Sequence, residues 1–126
     1  MKIDIRIDRS VRILDLHGRL VLGPPVELLA DTVQRLLADA HIHIMLNLRG
    51  VPYIDSAGIG ELAACKKRAI ERQGEIKIHW QRGRYHLAIE TVIHLMFPDA
   101  LFEDEKLALS SFAPPGGPAA RTTGTI

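Results

Sequence analysis

The sequence predicts an α/β fold, a mixed sheet of four or five strands with about four helices packed against it. Apolar and polar residues alternate with a period of two in several short segments, and apolar residues recur at helical spacing between them. The first two strands follow one another directly, which predicts a hairpin. The later strands are separated by helices, which predicts parallel pairs joined by right-handed crossovers. A length of 126 residues suits one domain with a single core.

The hairpin is predicted from residues 3–17. Isoleucines at every second position of 3–7 alternate with charged residues, as in a strand with one face in water. Arg9 and Ser10 form a short break, after which residues 11–17 predict the second strand. The apolar pattern of that strand shifts between Ile13 and Leu14, which leaves open either a bulge or burial of both faces.

A loop and a helix are predicted next. Glycines bracket residues 18–23, and Pro24 and Pro25 suit the first turn of a helix. Apolar residues then recur at helical spacing as far as Ala40, with charged residues elsewhere on the wheel. This pattern predicts an amphipathic helix that packs one face on the sheet.

The central strand and the second helix come next in the chain. Residues 44–48 are nearly continuously apolar, as in a central strand covered on both sides. Pro52 cannot donate a ladder hydrogen bond, so the strand ends before it. A helical pattern runs from Ile59 to about Arg72, and Gly74 is predicted to stop it.

The C-terminal part is predicted to complete the sheet. Residues 76–80 alternate as a fourth strand. A third helical pattern opens at Gly83 and has Tyr85 on its apolar face. Residues 101–102 predict either a short edge strand or a turn, and residues 105–112 predict a last short helix.

Composition and charge exclude several classes of protein. A formal net charge of +1 provides no large basic surface, so no direct nucleic-acid contact is expected. No apolar run approaches the ~20 residues of a membrane span, and the N-terminus has no signal-peptide pattern. The single cysteine, Cys65, cannot form an internal disulfide, which suits a reducing compartment. We therefore expect a cytoplasmic protein, with a domain at 1–112 and a flexible Pro/Gly-rich tail at 113–126.

The link between the central strand and the second helix carries the strongest functional signal. Residues 53–61 are Tyr-Ile-Asp-Ser-Ala-Gly-Ile-Gly-Glu, so Asp55 and Ser56 stand at the start of the helix. Free backbone N–H groups and the helix dipole favour an oxygen acceptor there, and a phosphate more. Gly58 and Gly60 lack a Cβ, so another surface or the chain's own loop can approach closely. From spacing alone, either Ser56 or Asp55 can cap the helix.

This run resembles the Asp-Ser-x-Gly-x-Gly signature of the STAS family, the anti-sigma factor antagonists of bacteria and their relatives. The resemblance extends from about residue 3 to residue 112 and includes the loop that begins Gly18-Arg19-Leu20. It implies that Ser56 is phosphorylated by an anti-sigma factor with serine kinase activity and dephosphorylated by a phosphatase. It also implies that the unmodified form binds the anti-sigma factor and frees the sigma factor. By position, the resemblance implies a docking surface that contains Asp55, Ala57, Gly58 and Gly60. The first loop adds Arg19, Val21 and Leu22 to the predicted partner-binding residues.

One position departs from the family. Kinase-regulated antagonists usually carry Asp one residue after the Gly-x-Leu of the first loop, whereas this chain has Val21 there. Val21 and Leu22 offer an apolar contact instead. Val21 favours the alternative of a non-phosphorylated STAS subunit of an ABC-type transporter ATPase or of a multi-protein sensor. No oligomeric state is predicted.

An enzyme is a third alternative, which the sequence disfavours. Ser56 does not lie in a Gly-x-Ser-x-Gly elbow, and no histidine is placed by sequence to act as its base. His41 and His43 lack a third ligand in the pattern that a metal would need. We therefore expect a regulatory protein-interaction module with no catalytic residue, no cofactor and no metal.

Overall fold

A computed structural model describes residues 1–113. The predicted domain lies within these residues, whereas the predicted tail lies outside them except for Ala113. The described part contains five strands and four helices: β1 (Lys2–Asp8), β2 (Val11–His17), α1 (Pro24–Ala38), β3 (His43–Gly50), α2 (Ser56–Glu71), β4 (Glu75–His79), α3 (Leu87–Met96), β5 (Leu101–Phe102) and α4 (Glu105–Ser110). The predicted α/β class and its mixed sheet are confirmed.

The five strands form one sheet in the order β1-β2-β3-β4-β5. β1 pairs antiparallel with β2 through a two-residue turn, so that Asp8 lies opposite Val11. The other three strand pairs are parallel. β3 is the central strand, as its apolar run predicted, and residues 101–102 form a strand rather than a turn.

Helices cover both faces of the sheet. On one face, α1, α2 and α3 bury the main apolar cluster, which includes Leu14, Leu46 and Ile78 of the central strands. On the other face, α4 covers a smaller cluster around Ile13 and Met45. Ile13 and Leu14 are both almost completely buried, on opposite faces. Because the β1–β2 ladder is continuous there, burial of both faces rather than a bulge accounts for the shifted pattern.

A polar network ties the edge of the sheet to α4. The Arg6 guanidinium donates to Asp15 at 2.6 and 2.9 Å and to Glu105 at 2.6 Å. Asn47 also donates to Asp15, at 2.7 Å. The hydrogen bonds from Arg6 hold the pKa of Asp15 and the pKa of Glu105 below their usual ranges. The network therefore links β1, β2, β3 and α4 on one face.

The structure corrects the predicted start of α3 and the predicted stop residue of α2. α3 begins at Leu87 rather than near Gly83, because His86 caps it by accepting from the N–H of Ala88 and residues 81–86 form a loop. α2 ends at Glu71, close to the predicted Arg72, but the left-handed residue that follows the helix is Gln73 (φ 57°) and not Gly74. A Cβ on Gly74 would overlap the carbonyl oxygen of Ile42, so this glycine is needed for close approach and not for its dihedral angles.

Residues 1–113 include no helix that combines the length and the apolar character needed to cross a membrane.

Candidate functional site at the start of helix α2

Two loops meet at the start of α2. One follows β2 and contains residues 18–23, and the other follows β3 and contains residues 51–55. The N–H of Leu20 donates to Tyr53 O at 2.9 Å, and the N–H of Asp55 donates to Leu20 O at 3.3 Å. Leu20 is fully buried and forms a parallel bridge with Ile54. These contacts fix the position of the residues that precede α2.

Asp55 is the N-cap of α2. Its backbone is extended, and its Oδ1 accepts from the N–H of Gly58 at 2.8 Å. Its Oδ2 accepts from the N–H of Leu22, in the other loop, at 3.0 Å. The hydrogen bonds from Leu22 and Gly58 hold the pKa of Asp55 below its usual range. One carboxylate therefore caps the helix and joins the two loops.

Ser56 is the first residue of α2 and is exposed. Because Asp55 occupies the cap, the serine hydroxyl is not used to satisfy the helix terminus. Within residues 1–113, Ser56 Oγ makes no hydrogen bond. The sequence left open whether Ser56 or Asp55 is the cap, and the structure assigns that role to Asp55. The hydroxyl is thus presented to solvent at the electropositive end of the helix.

Gly58 and Gly60 have different surroundings. Gly58 is buried, and a Cβ at this position would overlap the carbonyl oxygen of Leu20 and lie 2.8 Å from a methyl group of Ile54. Gly60 is exposed, and a Cβ there would meet nothing within 4 Å. The chain's own loop therefore accounts for Gly58, whereas no contact among the described residues accounts for Gly60.

The remaining predicted partner-binding residues differ in how far they are exposed. The Arg19 guanidinium lies over the ring of Tyr53, 4.9 Å from its centroid, and both residues are exposed. Leu22 is 76% exposed, while Val21 and Ala57 are partly exposed. The surface beside Ser56 thus combines a cation stacked on an aromatic ring with an apolar side chain held out in solvent. The role of these residues in partner binding stays a prediction.

Tyr85 supports the site from the neighbouring loop. Its hydroxyl donates to Val51 O at 2.7 Å and lies 3.2 Å from Leu48 O. Burial raises the pKa of Tyr85 to about 12. Glu90, which is buried, accepts from the N–H groups of Gly83 and Tyr85 and holds this loop in place. No pattern in the sequence predicts this support, because Tyr85 also fits the helical spacing of α3.

No metal site accompanies these residues in the described part of the chain. Residues 1–113 contain no group of three or more His, Cys, Asp or Glu side chains placed to hold a metal ion. Cys65 is buried, and burial raises the pKa of its thiol. Its Sγ donates to Glu61 at 3.3 Å.

Comparison with known proteins identifies similar sequences and folds. The sequence profile of the STAS domain matches residues 2–97. No curated protein matches the sequence. Among solved structures, TM1081 from Thermotoga maritima is 20% identical, with a TM-score of 0.74 over 87% of this chain and 93% of its own.

Two further proteins share the fold. The anti-sigma factor antagonist SpoIIAA in its unphosphorylated form is 15% identical, with a TM-score of 0.65 over 86% of this chain and 96% of its own. The phosphorylated form of SpoIIAA, from Bacillus, is 14% identical, with a TM-score of 0.68 over 86% and 97%. The murine Slc26a9 anion transporter is 16% identical, with a TM-score of 0.58 over 83% of this chain and 18% of its own. At these identities the likeness shows the fold alone.

Proposed function

The chain belongs to the STAS domain family, and from that premise we propose that it is an anti-sigma factor antagonist switched by phosphorylation of Ser56. The unmodified protein binds an anti-sigma factor that has serine kinase activity. Transfer of a phosphoryl group from ATP to Ser56 Oγ releases the protein from the anti-sigma factor, and a phosphatase then restores the hydroxyl. The protein itself is a binding partner and not an enzyme. The observation that carries this proposal is the exposed Ser56 hydroxyl beside a cap that Asp55 already provides.

The switch follows from the charge of the phosphate. Phosphoserine carries roughly −1.5 to −2 charges at neutral pH. At the N-terminus of α2 this charge is compatible with the helix dipole, so the domain keeps its fold. In an interface shaped for a neutral hydroxyl, the same group adds bulk and a desolvation cost. A difference of about 1.4 kcal/mol already changes the affinity tenfold.

The comparison with SpoIIAA supports a switch that leaves the fold intact. Its unphosphorylated and phosphorylated forms superpose on this chain with TM-scores of 0.65 and 0.68. Both forms of that antagonist therefore have the same fold. Gly60 supports partner binding at this surface. It is exposed, and nothing lies within 4 Å of the place where its side chain would be, so a partner can approach the helix closely.

A transporter-associated function is the second candidate. Leu22 is 76% exposed beside the site, and Val21 stands where kinase-regulated antagonists usually have Asp. Slc26a9, a transporter, includes a region with the same fold. In this alternative the protein is a non-phosphorylated subunit of an ABC-type transporter ATPase or of a multi-protein sensor, and Leu22 contacts the larger subunit.

Phosphorylation with a cognate anti-sigma factor kinase and ATP, followed by mass spectrometry, tests the first candidate. The phosphate should be found on Ser56, and Ser56→Ala should abolish it. Ser110 is an exposed serine on α4 and provides the matched control, so Ser110→Ala should leave the phosphorylation unchanged. The proposal would be contradicted if the kinase phosphorylated only other residues, or if it phosphorylated none.

Binding measurements separate the switch from a structural role of the serine. Ser56→Asp should weaken binding of the kinase at least tenfold, while Ser110→Asp should not. Ser56→Asp should keep the free energy of unfolding within about 0.5 kcal/mol, as for most surface substitutions. Unfolding of the domain by Ser56→Asp would assign the serine a structural role. Co-purification of a transporter ATPase that Leu22→Asp abolishes, with no phosphate on Ser56, would support the second candidate.

A further inference from the structure

Strand β1 has an open edge. It is the first strand of the sheet, and only β2 pairs with it among the described residues. Ile5 and Ile7 on this strand are 48% and 64% exposed. Proteins usually protect such an edge, because an apolar strand with unpaired N–H and C=O groups pairs readily with another strand. The charged residues of β1, Lys2, Asp4, Arg6 and Asp8, alternate in sign, so the strand presents no single charge that would repel a second strand.

The hairpin determines which backbone groups are free. The two-residue turn makes Asp8 and Val11 the closing hydrogen-bonded pair, and such pairs then alternate along the ladder. The residues of β1 that bond to β2 are therefore Asp8 and every second residue before it. The N–H and C=O groups of Ile3, Ile5 and Ile7 point to the open side.

We propose that two copies of the chain pair through β1, antiparallel, about a two-fold axis at Ile5. In this register Lys2 lies opposite Asp8, and Asp4 lies opposite Arg6. On the other face Ile3 lies opposite Ile7, and Ile5 lies opposite its own copy. Each charged residue faces an opposite charge and each isoleucine faces an isoleucine, which are favourable cross-strand pairs. The free backbone groups of the three isoleucines are also the ones that this register joins.

Other registers are disfavoured by the same residues. A shift by two positions in one direction places Asp4 opposite Asp4 and Lys2 opposite Arg6. The opposite shift places Arg6 opposite Arg6 and Asp4 opposite Asp8. Like charges directly opposite one another destabilise a strand pair. A shift by one position places isoleucines opposite charged residues, so charge and apolar pattern select one register.

The symmetry of this pairing limits the assembly to two chains. A two-fold axis uses the same edge of both copies, so the interface is closed and no β1 edge remains for a third. The two five-stranded sheets become one continuous sheet. Ser56 lies at the start of α2 and takes no part in the β1 pairing, so the dimer is independent of the proposed phosphorylation.

Sedimentation of the full chain over a range of concentrations tests the dimer. Lys2 and Asp8 are the best positions for charge reversal, because Arg6 is already bonded to Asp15 and Glu105. Lys2→Asp places Asp opposite Asp8 twice per dimer, and Asp8→Lys places Lys opposite Lys2 twice. Each single variant should weaken the dimer about tenfold or more. The double variant exchanges the two charges and should restore it.

Mixing the two single variants gives a sharper test. A Lys2→Asp chain paired with an Asp8→Lys chain has opposite charges at both outer positions. The mixture should therefore form heterodimers at concentrations at which each variant alone is a monomer. A general loss of stability cannot produce this result, because unfolded or damaged chains would not recover on mixing.

Ile5 lies on the two-fold axis, so a substitution there tests the interface directly, and an exposed isoleucine on another surface provides the control. Ile5→Lys places two lysines opposite one another and should abolish dimerisation. Ile70→Lys changes a similarly exposed isoleucine on α2, 58% exposed, and should leave the dimer unchanged. A wild-type chain that stays monomeric up to about 1 mM would overturn the proposal. A dimer that survives both Ile5→Lys and the charge reversals would overturn it too, since it would use another surface.

Discussion

The two glycines of α2 give opposite predictions for the same substitution. Gly58→Ala introduces a methyl group that overlaps the backbone oxygen of Leu20 and a methyl group of Ile54. The obstacle includes backbone, so it cannot rotate away like the end of a flexible side chain. Gly60→Ala introduces the same methyl group into open space. Both substitutions are Gly→Ala in the same helix, so the two variants differ mainly in what surrounds the new methyl group.

The magnitudes follow from these surroundings. In a helix, alanine is more favourable than glycine by about 0.5–1 kcal/mol. Gly60→Ala should therefore increase the free energy of unfolding by about that amount. Gly58→Ala gains less at the first turn and adds an overpacking cost of about 1–3 kcal/mol. We expect the two variants to differ by about 1–4 kcal/mol, with Gly58→Ala the less stable.

Urea denaturation of both variants, monitored by circular dichroism, measures this difference. Equal m-values would show that the comparison concerns stability and not the unfolded state. The reasoning would be refuted if Gly58→Ala were as stable as the wild type, because the loop at Leu20 would then not be packed tightly on α2. Binding of the anti-sigma factor adds a functional arm: Gly60→Ala should weaken it although the fold becomes more stable.

Three further predictions concern groups with shifted pKa values. Asp55→Ala should lower the urea midpoint, since the carboxylate accepts from Leu22 in one loop and from Gly58 in α2. The contribution of Asp55 is present above the ordinary carboxyl pKa and is lost as the pH falls through its lowered pKa, so the variant should lack this acid dependence. Tyr85→Phe should lower the free energy of unfolding by about 1 kcal/mol, because Val51 O loses its hydrogen-bond donor. Because the pKa of Tyr85 is raised to about 12, wild-type stability should fall between pH 10 and about 12, and the stability of the variant should not. Burial lowers the pKa of His79, so the unfolded chain takes up the proton at a higher pH than the folded one, and the free energy of unfolding should fall as the pH drops below about 6.5. Urea titrations at several pH values should show that His79→Gln removes this pH dependence.

Local patterns predicted most of the fold because they depend on neighbours in sequence. The apolar run of residues 44–48 identified the central strand, and Pro24 and Pro25 marked the start of α1. The start of α3 was missed for a different reason. Tyr85 shares a helical spacing with Ala88 and Ile89. Glu90, however, accepts from the N–H groups of Gly83 and Tyr85 and holds these residues in a loop. Side-chain bonds to the backbone of a loop leave no periodic trace in the sequence.

The site was predicted in position but not in detail. The sequence placed Asp55 and Ser56 at a helix start, and either residue can cap a helix. The choice depends on which of them precedes the helix with an extended backbone, and the structure shows that this is Asp55. The role of Gly58 depends on the carbonyl of Leu20, a residue distant in sequence that the β2–α1 loop brings to the helix. Non-local contacts of this kind cannot be read from spacing.

The identity of the cap also determines how a phosphate on Ser56 would act. If Ser56 were the cap, its modification would replace the hydroxyl that accepts from a backbone N–H by a phosphate with three strong acceptor oxygens, and would change the stability of α2 together with the interface. Because Asp55 supplies that acceptor, the Asp55 bonds to Gly58 and Leu22 need not change when Ser56 is modified. The main effect of the charge is then on what approaches from outside. An affinity change without a stability change is therefore the expected signature of this site, and it distinguishes a switch in binding from a switch in folding.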